Sequence, residues 1–569
     1  MILLRFPTFI RAGPSTQAFK LRYKRKFSMT RQFSILADHP IVGKLKNHPR
    51  DKVAIRHVIS GNSYTYGQLS DDIYKWHNIL QSKLPSSGNG SRIAIMGENS
   101  YQFAVLFFAT LMLPKTLAMP LCTNHTSAEI KYQLENSESS TIITPERFVD
   151  KVEEFVSPER KLIVFEEFDG NDVEASTSTS ESTVSSPSTS DSSTPSGYML
   201  YTSGTSGNPK GVVTPLETYV AQADALTKAW DINSNTAMLQ TLPLHHVHGL
   251  VIGMTLPLLA GGSVDFLFPF SPKVFVDRIT DASLPPINTY TAVPTIYTKL
   301  VSYVKQFQSD KEQFEKINSG LHNLHLAMCG SAALPSPLRN DWNKIVGDKV
   351  PLLERYGMTE TSITLSQPLD PQYRVDGSVG APVPSVIARL VDPDTSKVIY
   401  QSNEKSSHDT EASGELQLAG PVVFKEYWNK PEATSETFTE DGWFRTGDIC
   451  RADASGNIFI LGRASMDIIK SGGEKLSALE IEREILSLEE VDECSVVGVA
   501  SEEWGQEVAV VAVLSEKGRA SNFDLARLKS ALKKTLANYK IPKKLLVVES
   551  IPRNQMGKVN KKTLVKIFD

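Results

Sequence analysis

The sequence predicts an α/β protein built from at least two domains. Three observations carry this expectation. The chain has 569 residues, more than one ordinary hydrophobic core accommodates. From about Asp38 onward, short apolar stretches alternate with amphipathic helical ones, the pattern of a parallel sheet covered on both faces. Toward the C-terminal end, Val-rich stretches at 494–499 and 508–514 follow a helical pattern with Ile481 and Ile485 on one face.

Residues 1–37 differ from the rest. They carry eight cations (Arg5, Arg11, Lys20, Arg22, Lys24, Arg25, Lys26 and Arg31), and the first acid is Asp38. That is the composition of a mitochondrial transit peptide, with a plain basic tail as the alternative. Met29 offers a second start that yields a shorter, cytosolic product. Over the whole chain the formal charge is −4, without the basic excess of a nucleic-acid binder. Cys122, Cys329, Cys450 and Cys494 are far apart and form no metal-ligand spacing, which fits free thiols in a reducing compartment.

In chain order, Thr65-Tyr66-Gly67-Gln68-Leu69 opens a helical pattern that runs through Trp76 and Leu80. Residues 92–96 read as a strand. The apolar run 103–121 is interrupted by Pro114 and Lys115 before about 18 apolar residues accumulate, so it reads as a buried helix and a strand closed by Pro120. Residues 127–134 form the next helix. The tract 176–196, in which 16 of 21 residues are Ser or Thr, cannot bury enough surface to order itself and reads as a surface insertion.

YTSGTSGNPKGV at 201–212 follows directly. Gly204, Gly207 and Gly211 let the backbone approach a ligand, while Thr202, Ser203, Thr205, Ser206 and Lys210 supply hydroxyls and a cation. This suits a nucleotide polyphosphate. It is not a Walker A loop, because Pro209 precedes Lys210 and Gly211 follows it. A flexible Ser/Gly linker is the competing reading, and the strand-like flanks argue against it.

Three histidines, His245, His246 and His248, fall in LPLHHVHGL. Side chains at these spacings do not converge on a metal, and no Cys or carboxylate accompanies them, so a pocket wall is the better reading. In ERYGMTET, Thr359 offers a hydroxyl to a phosphate oxygen and Glu360 a carboxylate to Mg²⁺, unless the pair is a surface turn. In WFRTGD, Asp448 suits a ribose diol or an Asx turn. Ser477-Ala478-Leu479-Glu480 reads as a capping box. Lys558, in IPRNQMGK, is displayed by a Pro/Gly-rich loop.

Together these motifs resemble those of the adenylate-forming enzymes (acyl-CoA synthetases, luciferases and adenylation domains) over roughly residues 40–569, in the family's order. The resemblance implies a large N-terminal domain at 38–461, with parallel α/β subdomains and a small β-barrel-like part. A small mobile α+β C-terminal domain follows at 462–569. It implies AMP and metal binding by Tyr356, Gly357, Thr359 and Glu360, with adenine beside Gly330, Ser331 and Ala332. It further implies that Asp448 binds the ribose, that Arg463 makes a second ribose or phosphate contact, that His246 lies beside the acyl substrate, and that Lys558 serves adenylation. Gly472 and Gly473 belong to the CoA loop, although this chain has Gly473-Glu474 where the family usually has Gly-Tyr. ATP, Mg²⁺ and CoA are the implied cofactors and cosubstrate.

Several segments, GSAALP and LLERYGMTE among them, look closest to the malonyl-CoA synthetases, which makes malonate, and also methylmalonate, the expected acid. Arg355 would then grip the distal carboxylate, because a guanidinium binds a carboxylate bidentately and stays charged. Arg374 is the competing candidate, and a solvated Arg355 the bland alternative. A short- or medium-chain monocarboxylate ligase and an inactive nucleotide-binding partner are the rival functions. Small molecules are the expected partners, with no nucleic acid and no transmembrane segment.

Overall fold

A computed structural model describes residues 39–84, 90–165, 195–202, 208–404, 411–472, 474–553 and 559–568, and the backbone of 18–21. The chain divides into two compact units. The first runs to Thr227 and adds Ile232–Val274 and Phe424–Thr434; the second comprises Lys228–Asp231, Phe275–Val423 and the chain from Ser435 onward.

The first unit contains an eight-stranded sheet. Its order is Ala18–Leu21, Lys161–Phe165, Thr141–Pro145, Ser91–Met96, Thr116–Leu121, Gly197–Thr202, Lys210–Pro215 and Glu426–Tyr427. Pairing is parallel as far as Gly197–Thr202 and antiparallel beyond it. The edge strand Ala18–Leu21 falls inside the basic N-terminal segment, where the sequence signalled no element.

The expected helices form where periodicity placed them. Tyr66–Lys83 begins at a full capping box between Thr65 and Gln68. Tyr101–Leu111, capped by Ser100, is buried along its whole length. Pro120 does not close its strand but lies within it, opposite Ile95. Pairing on the other side runs through Leu117 and Ala118, short of Pro120, so the missing N–H falls where one partner strand suffices.

In the second unit, Thr289–Ala292, Leu326–Cys329 and Leu353–Met358 are parallel neighbours, and Ser362–Ser366 folds back antiparallel on the last. A five-stranded antiparallel sheet stands where the barrel-like part was expected, in the order Val398–Gln401, Ile387–Val391, Ala412–Ala419, Phe444–Ala452 and Ile458–Arg463.

The boundary expected at 461/462 falls inside this second unit. Residues beyond it nonetheless build their own core around Ile468–Ser471, Gly505–Leu514, Val491–Ser501 and Lys544–Val547. Alternation along the strands divides that core between two faces. Val496, Val508 and Val510 pack with Ile481, Ile485 and Leu528, while Val497, Ala509 and Val511 pack with Ile551 and Leu564. The helix Ala478–Leu486 realises half of its expected box. Ser477 accepts from the Glu480 N–H, but the Glu480 carboxylate pairs with Lys540 at 2.6 Å. A charged partner 60 residues away outcompetes the local backbone donor. No described helix is long and apolar enough to cross a membrane.

Candidate active site

In the first unit, the two arms of the proposed phosphate loop are an antiparallel hairpin, with Tyr201 opposite Gly211 and Thr202 opposite Lys210. Ser203, Gly204, Thr205, Ser206 and Gly207 lie outside the described residues. The arms are pinned from three directions. Tyr132 donates its hydroxyl to the Pro209 carbonyl (2.8 Å), Tyr201 donates to Asn136 Oδ1 (2.8 Å), and the Trp428 N–H donates to the Gly211 carbonyl (2.8 Å). A Cβ at Gly211 would sit 2.7 Å from Met199 Sδ, so any larger residue there displaces the Met199 side chain. Lys210 Nζ rests over the Tyr427 ring, 4.5 Å from its centroid.

The histidine segment belongs to the same unit. Gln240 brackets it, donating to the Gly249 carbonyl (2.8 Å) and accepting from the Leu242 N–H (3.0 Å). His245 and His246 rings lie 4.2 Å apart, with His125 6.2 Å from His245. Burial first, and then the neighbouring imidazoles, push the His245 pKa far below its usual value, so it is neutral. His248 opens an eight-residue π-helix, His248–Thr255, that periodicity did not reveal.

In the second unit, Thr291 and Gly330 lie at the carboxyl ends of Thr289–Ala292 and Leu326–Cys329, and Arg355 directly follows Glu354, where the parallel pairing of Leu353–Met358 stops; open α/β sheets bind ligands at this end. Arg355 is 5% exposed, which removes the reading of a solvated arginine. Its Nη2 donates to Thr291 Oγ1 (3.1 Å), and its Cζ lies 6.0 Å from the Trp230 ring centroid. Burial lowers its pKa to about 10, so it remains a cation at neutral pH. Arg374, by contrast, spends its guanidinium on the carbonyls of Pro368, Pro351 and Leu369 at 2.9, 2.8 and 2.6 Å. Those bonds tie down a turn.

Ser331 and Ala332 are exposed beside the buried Gly330, and Ser331 adopts φ 67°. Thr359 and Glu360 sit in the tight turn between Leu353–Met358 and Ser362–Ser366, Thr359 half-buried and Glu360 6% exposed. Gly357 lets that hairpin close, because a Cβ would meet the Ser362 carbonyl at 2.1 Å. Tyr356 donates its hydroxyl to Asp448 Oδ2. Arg463, opposite Asp448 in the antiparallel pair, meets Oδ1 through Nε at 2.9 Å and donates from Nη1 to the Thr446 carbonyl at 2.8 Å. The Asp448 carboxylate is thereby oriented through both of its oxygens. Tyr356, Asp448 and Arg463 thus come together, as the motifs required.

Residues 43–428 match the family described as AMP-binding enzyme, and residues 480–558 match its C-terminal domain. The chain belongs to the AMP-binding enzymes. A CoA ligase of Gibberella moniliformis is 41% identical over 564 residues, covering 91% of this chain and 93% of the relative. The mitochondrial malonate–CoA ligase ACSF3 of Xenopus laevis is 37% identical over 502 residues, covering 85% and 84%. The crystal structure of ATP-bound MatB from Rhodopseudomonas palustris superposes with a TM-score of 0.76 at 29% identity, covering 94% of this chain and 98% of that one.

Magnesium fits the donor set of this AMP-binding enzyme. Among the described residues no group of three His, Cys, Asp or Glu side chains could hold a metal ion. A lone buried carboxylate at Glu360 suits Mg²⁺, which takes one or two protein carboxylates and fills its octahedron with phosphate oxygens and water. It does not suit zinc.

Toward the C-terminus, Gly472 adopts φ 57° and donates its N–H to the Trp504 carbonyl (2.9 Å), and a Cβ on it would meet the indole at 2.8 Å. Gly473 and Lys558 lie outside the described residues. The sequence reading missed a buried ionic cluster in this region. Lys561 Nζ meets Asp467 Oδ1 at 2.6 Å and Glu482 Oε1 at 2.8 Å. Asp467 Oδ2 also accepts from the Arg463 N–H (2.9 Å), and Glu482 from the Val496 N–H (2.7 Å). The one available signal was the apolar spacing of Leu564 and Val565 after Lys561, which makes this lysine the start of a packed helix.

Proposed function

We propose that this chain is an AMP-forming malonate:CoA ligase. It joins malonate to ATP as malonyl-adenylate with release of pyrophosphate, and CoA thiol then displaces AMP to give malonyl-CoA. The observation that carries the choice of acid is Arg355, a buried cation just past the point where the parallel pairing of three strands stops, adjacent in sequence to the proposed nucleotide motif. Malonate keeps one carboxylate while the other reacts, and burying that charge without a partner is costly. A monocarboxylate brings no charge for Arg355 to meet. The relatives named as malonate–CoA ligases support the same reading.

Catalysis in this scheme is positioning and electrostatics. The backbone amides and hydroxyls of 202–207, with Lys210, cradle the phosphates, and Thr359 donates to a phosphate oxygen. Glu360 would hold Mg²⁺, which would supply charge neutralisation on the phosphates. Asp448 accepts the ribose hydroxyls while Arg463 keeps its carboxylate in place. Arg355 grips the distal carboxylate, with His246 on the acyl side. Lys558 meets the charge that builds at the α-phosphate, and the Gly472-Gly473 loop serves the thiol step after the region from 462 rotates. No side chain becomes acylated. The retained Lys210, Thr359, Glu360, Asp448, Arg463 and Lys558 argue against an inactive binding partner.

The basic N-terminal segment supports mitochondrial import, into the matrix, and similar proteins carry a mitochondrial name. The deciding experiment supplies ATP, CoA and a panel of malonate, methylmalonate, acetate and butyrate, and measures AMP release. Malonate-dependent AMP and malonyl-CoA are expected. AMP formation with butyrate and none with malonate would establish the monocarboxylate ligase instead.

A further inference from the structure

We infer that Thr291 and Gly330 are specificity-determining positioning residues, which hold the Arg355 guanidinium where it selects a dicarboxylate acid. This rests on the malonate reading above. The three residues lie on three neighbouring strands or directly follow one of them. Thr291 pairs with Met328, and Cys329 pairs with Glu354, which sets Gly330 level with Arg355 at the next position.

Each neighbour constrains the guanidinium differently. Thr291, fully buried, accepts from Nη2 at 3.1 Å and fixes the rotation of the fork. Gly330 supplies room, because a Cβ there would lie 2.5 Å from Nη1 and 2.9 Å from Cζ. Trp230 stands on a further side with its ring 6.0 Å away, and its indole N–H is anchored on Ser366 Oγ at 2.9 Å. A methyl group at 330 would therefore force the guanidinium out of this position. The guanidinium is also oriented before the acid arrives, so little conformational freedom is lost when a carboxylate is gripped. The Thr291 bond sets the plane of the guanidinium fork, the geometry on which bidentate recognition of a carboxylate depends. Gly330 thereby acquires a second role beside the adenine contact its motif implies. It is the empty volume that Arg355 occupies.

The test uses the full chain with Thr291→Val, Thr291→Ser and Gly330→Ala. Steady-state AMP release is measured against malonate and, separately, against ATP, and the unfolding midpoint of each variant is recorded. Removing an acceptor from a charged donor corresponds to about a tenfold effect. Thr291→Val is therefore expected to raise the malonate KM about tenfold while the ATP KM stays within about twofold. Thr291→Ser, which keeps the hydroxyl, restores the malonate KM. Gly330→Ala raises the malonate KM as well. An unchanged malonate KM in Thr291→Val, or an equal rise in the KM of both substrates, overturns the inference while the ligase reading stands. An unmutated enzyme that rejects malonate overturns the ligase reading and this inference with it.

Discussion

Replacing Arg355 with methionine isolates the choice of acid from the rest of catalysis. The side chain is 5% exposed, so water cannot take over its role toward a bound carboxylate. A charge-assisted pair in such a place is worth about 3 kcal/mol. At about 1.4 kcal/mol per decade, malonate kcat/KM should fall at least about a hundredfold. Stability should not follow. Burial already lowers the Arg355 pKa to about 10, a sign that the fold bears a desolvation cost for this cation. Methionine is similar in length and removes that cost. Acetate or butyrate should be used as well as before or better, because the charge that penalised an apolar chain is gone. The assay is AMP release with each acid, alongside thermal unfolding. A parallel loss with malonate and monocarboxylates, together with a lowered midpoint, would show that Arg355 is structural and refute the reasoning.

Four other outcomes follow from the same structure. Lys561→Met strands the Asp467 and Glu482 carboxylates together and should cost about 3–5 kcal/mol, read as faster amide exchange in 491–514, with Glu482→Gln in the same chain restoring part of it. His39 and His57 are held neutral by burial with pKa values of about 4, and His57 accepts the Tyr101 N–H at 2.8 Å. Their folded pKa values lie below the ordinary 6.5, so their contribution is complete above pH 6.5 and is lost toward pH 4. Each should cost up to about 1.4 kcal/mol per pH unit in that window, and a pH series of unfolding midpoints that is flat there would contradict it. Lys558→Ala should abolish most adenylate formation yet keep much of the thioester step from supplied malonyl-adenylate; equal losses in both would end the separation of roles. A reporter carrying residues 1–40 should enter mitochondria, and a cytosolic reporter would point to Met29 or to no import.

What could be read from the sequence was local. Thr65 and Gln68 announce their helix because both halves of the cap lie within four residues. The strand-like flanks of the phosphate loop are indeed the two arms of a hairpin, since alternation of buried side chains is a nearest-neighbour property. What escaped was decided by distant partners. Glu480 left its box for Lys540, Pro120 survived inside a strand because its neighbour pairs only as far as Ala118, and Arg355 proved buried with its guanidinium on Thr291, 64 residues away. The Tyr356, Asp448 and Arg463 constellation was inferred as three separate motifs, and their mutual contacts required the fold. Lys561 gave no charge signal, lying in a lysine-rich tail where most such residues are solvated.

The bonds around Asp467 have a bearing on how this chain can be engineered. Lys561 holds one oxygen of Asp467, the other oxygen holds the Arg463 backbone, and the Arg463 side chain holds Asp448. The final helix, Lys561–Val565, is therefore a structural strut of the strand pair that carries Asp448 and Arg463, with Leu564 wholly enclosed. Trimming the tail before Lys561 removes a counter-ion two bonds upstream of Asp448. Affinity tags and carrier fusions at this end should begin beyond Phe568, with a spacer, and the ATP KM of any shortened chain is the first quantity to measure.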